Sequence, residues 1–274
     1  ASRLRRKPLL YDSHELFTEV PELVSRPRIQ HFWLRIEQRI LPHLKVMITV
    51  NESIAAIFKS NYSIPVNVVR NVPQRQEQLY ALSREELNLK PTQKMLIIQG
   101  SGLNVQRGIE EAILAMELID DAVLFLVGDG DVIPSVKKIV ATKNLQEKVR
   151  FVGRLPYKQL LQYTAAADLG LALDKPLSLN YALALPNKVF DYIQAQTPFV
   201  TSPLVEIQKL IDRYDCGEVI QEVSPEALAQ KINTLCSNPE RLAILKENCK
   251  KAAAVEHWDA DKKVLAEVVE RVFI

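Results

Sequence analysis

No glycine occurs in the first 99 residues of this 274-residue chain; all eight stand at position 100 or later. The two ends are therefore built differently, and backbone that must approach a ligand closely is concentrated in the later part. Cysteine is nearly absent. Three residues, odd in number and without metal spacing, predict reduced thiols in a cytoplasmic protein rather than a disulfide framework or a zinc site. No apolar run approaches the ~18 residues of a spanning helix. The opening "ASRLRRKPLLYD" has too short an apolar run after its basic residues to read as a signal peptide. Charge of one sign is lacking too, since 35 basic against 33 acidic residues leave a net +2, which argues against a nucleic-acid partner. The sequence contains neither G-x-x-x-x-G-K-[ST] nor a complete G-x-G-x-x-G. No serine sits in a nucleophile elbow, no Cys–His pairing is visible, and His31, His43 and His257 show no metal spacing.

What is present is the composition of an ordinary globular protein, 47% apolar and 25% charged. From about residue 93 the pattern alternates. "KMLIIQG", "AVLFLVGDG", "VRFVG", "ADLGLAL", "PFVTS" and "GEVI" read as strands, separated by helices near 132–142, 157–167 and 204–213 and by one opening near 187. Strands apolar throughout and alternating with helices predict a doubly wound parallel sheet covered on both faces, with ligands at the carboxyl ends of its strands. Before residue 92 only three strands ("KPLLYDS", "KVMITV", "VNVVRNVP") and two helices are legible. That is too little for a whole sheet of this kind and predicts the second half of one. The expected organisation is a partial N-terminal domain (1–73), a polar linker (74–91), a nucleotide-type domain (92–256) and a last helix in 257–274.

"ALPNKVFDYIQAQTPFV" (184–200) poses the functional question. Proline suits a helix start and an acid in the first turn suits the dipole, while Lys188 and Asp191 have the spacing of a surface ion pair. Alternatively, free N–H groups and Lys188 form a phosphate seat, with Asp191 placed for a ribose hydroxyl. Three other stretches stand at strand ends. "QGSGLNVQRGIEEAI" offers Gly100, Ser101, Gly102 and Arg107, or an ordinary strand-to-helix turn. "GDGD" offers Asp129 and Asp131, read as a turn rather than a metal pair. "VGRLPY" offers Gly153, Arg154 and Leu155 against a base, or a connecting loop. "YDSHELFTE" places His14 among acids at the end of the first strand; Ser13 reads as a helix cap and Glu15 and Glu19 as first-turn acids. Asp259 reads as the cap of the last helix. The basic helix over 27–43 carries Arg26, Arg28, Arg35 and Arg39 beside Phe32 and Trp33. Packing on its own sheet is the expected role and contact with anionic lipid the alternative.

In order, the glycine turn with its basic residue, "VGDG", "VRFVGRLP" and "LPNKVFDYIQAQTPFV" resemble the C-terminal domain of the retaining family-four (group 1) glycosyltransferases of the GT-B fold. "LLYDSHELFTE", "VMITVNESIAAIF" and "VVRNVP" resemble the second half of their N-terminal domain. The resemblance implies a metal-independent retaining transfer of sugar from a nucleotide-diphosphate-sugar, without a separate cofactor. The acceptor would be a glycan, a lipid-linked sugar or a small molecule. It implies catalytic roles for His14, Arg107 and Lys188. It implies a donor-nucleotide site of Gly100, Ser101, Gly102, Arg107, Gly128, Gly153, Arg154, Leu155, Leu185, Pro186, Asn187, Lys188 and Asp191, with no metal ligand. The chain departs from the family pattern at Asp191, shorter than the usual glutamate, at Leu183 in place of the first acid, at Gln196 in place of glycine, and at Ser101 in place of a cation. "EHWD" resembles the segment that crosses back to the first domain. Two alternatives stand beside transfer: a truncated or degenerate nucleotide-binding domain, and a nucleotide-sugar 2-epimerase, for which the expected extra acids and histidines are missing.

Overall fold

The computed structural model describes residues 8–76 and 78–273. The chain opens with β1 (Tyr11–Ser13), a 3₁₀ turn at Phe17–Glu19, α1 (Pro21–Val24), α2 (Pro27–Ile40), β2 (Met47–Thr49), α3 (Glu52–Tyr62) and β3 (Val66–Val68). The three strands form one parallel sheet in the order β1-β2-β3. Asn51 caps α3 by accepting from the Ile54 N–H at 2.9 Å, as its position before the apolar run predicts. Met47, Ile54 and Phe58 form the core beneath this sheet. Two expectations fail here. Ser13 ends β1 and donates its hydroxyl to the Glu15 carbonyl instead of capping a helix, because the chain after it makes only a 3₁₀ turn. Nor does α2 bury a single residue: Phe32 is 58% and Trp33 38% exposed, since what lies against its apolar side is a groove edged by Tyr11, Phe17 and Leu44.

The larger body continues with β4 (Lys94–Gly100), α4 (Ile109–Ala115), β5 (Ala122–Gly128), α5 (Ile133–Thr142), β6 (Val149–Gly153), α6 (Tyr157–Ala166) and β7 (Leu169–Ala172). It is completed by α7 (Leu179–Ala182), α8 (Asn187–Gln194), β8 (Phe199–Thr201), α9 (Val205–Tyr214), β9 (Gly217–Val219), α10 (Pro225–Cys236) and α11 (Pro239–Ala253). Its six strands are all parallel in the order β6-β5-β4-β7-β8-β9. Consecutive residues of β4 point to opposite faces, and both faces are filled. Leu96 and Ile98 enter the cluster with Ile113 and Leu228, whereas Met95 and Ile97 enter the one with Tyr192 and Phe199. This is why the strands read as unbroken apolar runs. The order reverses between β4 and β7, so the crevice at that switch point is where such a sheet receives a ligand. Leu87 and Leu89, in the stretch that precedes β4, are buried in the same core.

The last helix, α12 (Trp258–Phe273), returns to the small sheet, where Val268 packs on Val46 and Ile48. Asp259 lies in its first turn rather than at its cap. The crossing is tied by Arg70, just past β3. Arg70 donates through its backbone N–H (2.8 Å), Nε (3.2 Å) and Nη2 (2.8 Å) to Asp261 and through Nη1 to Glu256. The Tyr214 hydroxyl donates to the other Glu256 oxygen at 2.6 Å. A second tie comes from α7 and its flanks. Leu183 is buried in the small sheet's apolar cluster, its carbonyl accepts from Asn51 Nδ2 at 2.8 Å, and Asn180 Oδ1 accepts from the Leu16 N–H at 2.9 Å.

Candidate active site at the sheet switch point

A cleft of about 790 Å³ opens at the carboxyl ends of β4 and β7 and runs along the first turns of α8. The end of β4 supplies Gly100 and the segment from there to α4 Ser101, Gly102 and Arg107; the start of α8 supplies Pro186, Asn187 and Lys188 with Asp191 deeper in. The N-terminus of α8 has no side-chain cap, so its first N–H groups have no cap competing with a ligand for them. Two backbone positions make the approach possible. Gly108 turns the chain into α4 at φ +70°, and a Cβ there would lie 2.4 Å from that of Leu173. At Gly128, φ +141°, a Cβ would meet the Gly100 carbonyl oxygen at 1.8 Å.

Arg107 and Lys188 are 81 positions apart in sequence and share one carboxylate. Arg107 Nη1 donates to Asp174 Oδ1 at 2.7 Å and Lys188 Nζ to Asp174 Oδ2 at 2.9 Å. Asp174 is only 7% exposed. Burial works against its charged form, but Lys188 and Arg107 outweigh burial and hold its carboxyl below the ordinary range. This group of two cations and one anion is itself net positive, with the Asp191 carboxyl one turn further along α8. The Lys188–Asp191 pair allowed by sequence spacing does not form, because Lys188 is drawn to Asp174.

Asp191 lies in the second turn of α8, not the first. Its Oδ1 accepts from the Tyr157 hydroxyl at 2.8 Å and its Oδ2 from Gln99 Nε2 at 3.1 Å. Gln99 Oε1 in turn accepts from Thr164 Oγ1 at 2.7 Å. Burial raises the Asp191 carboxyl above the ordinary range, with the Tyr157 and Gln99 hydrogen bonds opposing it. The Tyr157 hydroxyl is pushed upward as well, by burial and then by the Asp191 charge. A carboxylate has about four lone-pair sites, so two remain for a ligand.

His14 reaches the same region from the small sheet. It lines a second cavity of about 240 Å³ that shares Arg107, Pro186 and Asn187 with the cleft and adds Asp174 and Leu185. Asn71 Nδ2 lies 3.4 Å from His14 Nδ1, and Asp12 Oδ2 lies 3.1 Å from Nε2. Gly128, Gly153, Arg154 and Leu155 do not line either cavity. Gly128 serves the close packing behind the site, Arg154 faces Asp129 at 3.5 Å, and Leu155 packs against the core. Asp131 accepts from the Val105 N–H at 3.0 Å, tying the loops after β5 and β4 together, and Asp129 accepts from the neighbouring Gly130 N–H at 2.9 Å. Among the described residues, no group of three or more His, Cys, Asp or Glu side chains is placed to hold a metal, and the three cysteines are free thiols. Gln99, Tyr157, Asn71 and Asp174 are among the lining residues not singled out in the sequence. Gln99 stands in the strand "KMLIIQG" as a polar residue among buried apolar ones, which is a usable signal; the others carry none.

The sequence pattern of "Glycosyl transferases group 1" matches residues 81–252, the body that carries this cleft and most of the chain. The chain belongs to the group 1 glycosyl transferases. No curated protein matches it by sequence. Solved structures show the same fold. Sucrose-phosphate synthase from Thermosynechococcus elongatus superposes with a TM-score of 0.78 at 20% identity, over 98% of this chain and 69% of that one. Anabaena Alr3699/HepE, solved in complex with UDP and glucose, gives 0.76 at 18% identity, over 98% and 73%. WaaG, a glycosyltransferase involved in lipopolysaccharide biosynthesis, gives 0.73 at 18% identity, over 96% and 75%. The GT-B architecture of this group 1 member is thus one complete Rossmann-like sheet and a smaller parallel one. No helix among the described residues is long and apolar enough to cross a membrane.

Proposed function

We propose that this chain moves a sugar from a nucleotide-diphosphate-sugar to an acceptor hydroxyl with retention and without a metal. The observation that carries the proposal is the meeting of Arg107 and Lys188 at the switch point beside the uncapped start of α8. These cations and N–H groups stabilise the charge that grows on the departing diphosphate. The bond from the anomeric carbon to the diphosphate oxygen breaks while the acceptor oxygen bonds to the same face of that carbon. The acceptor proton leaves toward the departing oxygen, so no enzyme nucleophile is required. Asp191, held by Tyr157 and Gln99, takes a ribose hydroxyl. His14 and Asn71 face the sugar from the small sheet. The UDP complexes of Anabaena Alr3699/HepE support a nucleotide ligand for this fold. A cytoplasmic site of action, with nucleotide-sugars and reduced thiols, belongs to the same proposal.

Isothermal titration tests it. A nucleoside diphosphate from a panel of UDP, GDP and ADP is expected to bind equally with and without EDTA. Complete loss of binding in EDTA sinks the cation-and-helix account. Affinity should also depend on pH. A raised Asp191 carboxyl is protonated at higher pH than an exposed aspartate and then loses its attraction for hydroxyl protons. Nucleoside affinity is therefore expected to fall in mild acid in the wild type, with no such fall in Asp191→Asn. A flat profile in both removes Asp191 from the ribose site.

Leu183 favours a second reading. It stands where the family pattern has an acid, yet it is committed to the apolar core of the small sheet. A chain so altered binds nucleotide without transferring sugar. NMR of supplied nucleotide-sugar separates the readings: released or transferred sugar supports transfer, unchanged donor with tight binding supports the second, and a 2-epimer points to neither.

Membrane contact is a further part of the proposal, supported by the exposed Phe32 and Trp33 beside the α2 arginines. Flotation with anionic liposomes is expected to carry a lipid-bound fraction that salt reduces. No bound fraction at low salt ends the idea.

A further inference from the structure

We infer that Asp174 is a positioning residue that sets Arg107 and Lys188 as a matched pair for a diphosphate; the inference rests on the function proposed above. Asp174 stands two residues past β7, on the far side of the switch point from Gly100. Three loops converge on it. Its carbonyl accepts from Ser202 Oγ at 2.5 Å, beyond β8. The next N–H, of Lys175, donates to the Gln106 carbonyl at 3.3 Å, beside Arg107. Its carboxylate then receives one cation on each oxygen, at 2.7 and 2.9 Å. The side chains of Asp174 and Lys188 are 9% and 10% exposed, so neither is held by solvent. Without this carboxylate, two buried or half-buried cations, one from the loop before α4 and one from the first turn of α8, would face each other and repel.

Donor counting separates positioning from competition. A lysine ammonium has about three N–H donors and a guanidinium about five. Asp174 takes one from each, so both cations keep donors for phosphate oxygens while bridged. Asp174 therefore does not have to leave when ligand arrives. It fixes the distance between the two cations; both phosphate groups of a diphosphate can then draw on their remaining donors, whereas a monophosphate draws on them with one group only.

The test is titration of wild type, Asp174→Asn and Asp174→Glu with UDP, GDP and ADP and with the matching monophosphates and nucleosides. Asp174→Asn is expected to weaken the diphosphate about tenfold or more, the size of one charge-assisted hydrogen bond, while leaving the nucleoside unchanged. Asp174→Glu keeps the charge but moves the carboxylate outward by one methylene. Positioning predicts that it too loses diphosphate affinity and narrows the diphosphate-over-monophosphate ratio. Wild-type affinity in Asp174→Glu, or unchanged or tighter diphosphate binding in Asp174→Asn, overturns the inference. So does an equal loss for nucleoside and diphosphate, which marks a general structural role. Failure of the wild type to bind any of the three diphosphates overturns the proposed function, and this inference with it.

Discussion

Replacing Lys188 by alanine is expected to abolish most of the preference for a diphosphate while leaving nucleoside binding intact. In the proposed transfer Lys188 lies where transition-state charge grows, so turnover should fall about 10²-fold or more, by comparison with lost oxyanion donors. Its removal also leaves Asp174 with Arg107 alone, which adds to the loss. Asp191→Asn should behave differently. It keeps the shape and weakens a charge-assisted hydrogen bond worth roughly 1.5–3 kcal/mol. That contact changes little during transfer, so KM should rise more than kcat falls. By titration, Asp191→Asn weakens nucleoside and diphosphate alike, whereas Lys188→Ala spares the nucleoside. Equal losses of nucleoside in both variants, or no effect on the diphosphate in either, would remove α8 from the donor site.

Arg70→Ala is expected to give the largest loss of stability. The Glu256 and Asp261 side chains are 2% and 5% exposed and both are paired to this guanidinium. Removing Arg70 leaves Asp261 without its cation and Glu256 with only the more distant Arg213 Nη1, at 3.8 Å, and loss of one partner of a buried ion pair costs about 3–5 kcal/mol. The variant also strips the cation that lies over the Phe190 ring, 5.8 Å from its centroid. Because Arg70 belongs to the small sheet while Glu256 and Asp261 belong to the crossing, the effect should appear as early release of α12. Urea unfolding followed by hydrogen exchange reads both quantities. A change below about 1 kcal/mol, the worth of an exposed pair, would mean that the crossing is held by Val268 and its apolar neighbours instead.

The six-strand sheet was legible because both its faces are buried. Strands such as "LFLV" carry no polar face to blur the pattern, and β4, β5 and β6 each end at a glycine. The start of α8 was legible because proline, asparagine and lysine together mark an uncapped helix start. Gln196, in place of the family's usual glycine, takes the left-handed φ of +56° just after this helix. The role of α2 was not legible. Its apolar stripe predicts burial, but periodicity reports a face and not what lies against it. Asp174 was hidden for a deeper reason. In "LALDKPLS" it is a loop aspartate like any other. Its burial, its two cations and its lowered pKa arise only when β7 is laid beside β4 and the loop to α4 closes over it. Tyr157 was hidden in the same way; Gln99 stood out as a polar residue in an apolar strand, but not its meeting with Tyr157 at Asp191. Local sequence determined the elements, their order and the residues at the strand ends. The partners of those residues were decided by the tertiary structure, because charge pairing depends on distances of about 3 Å between segments that sequence spacing leaves unspecified.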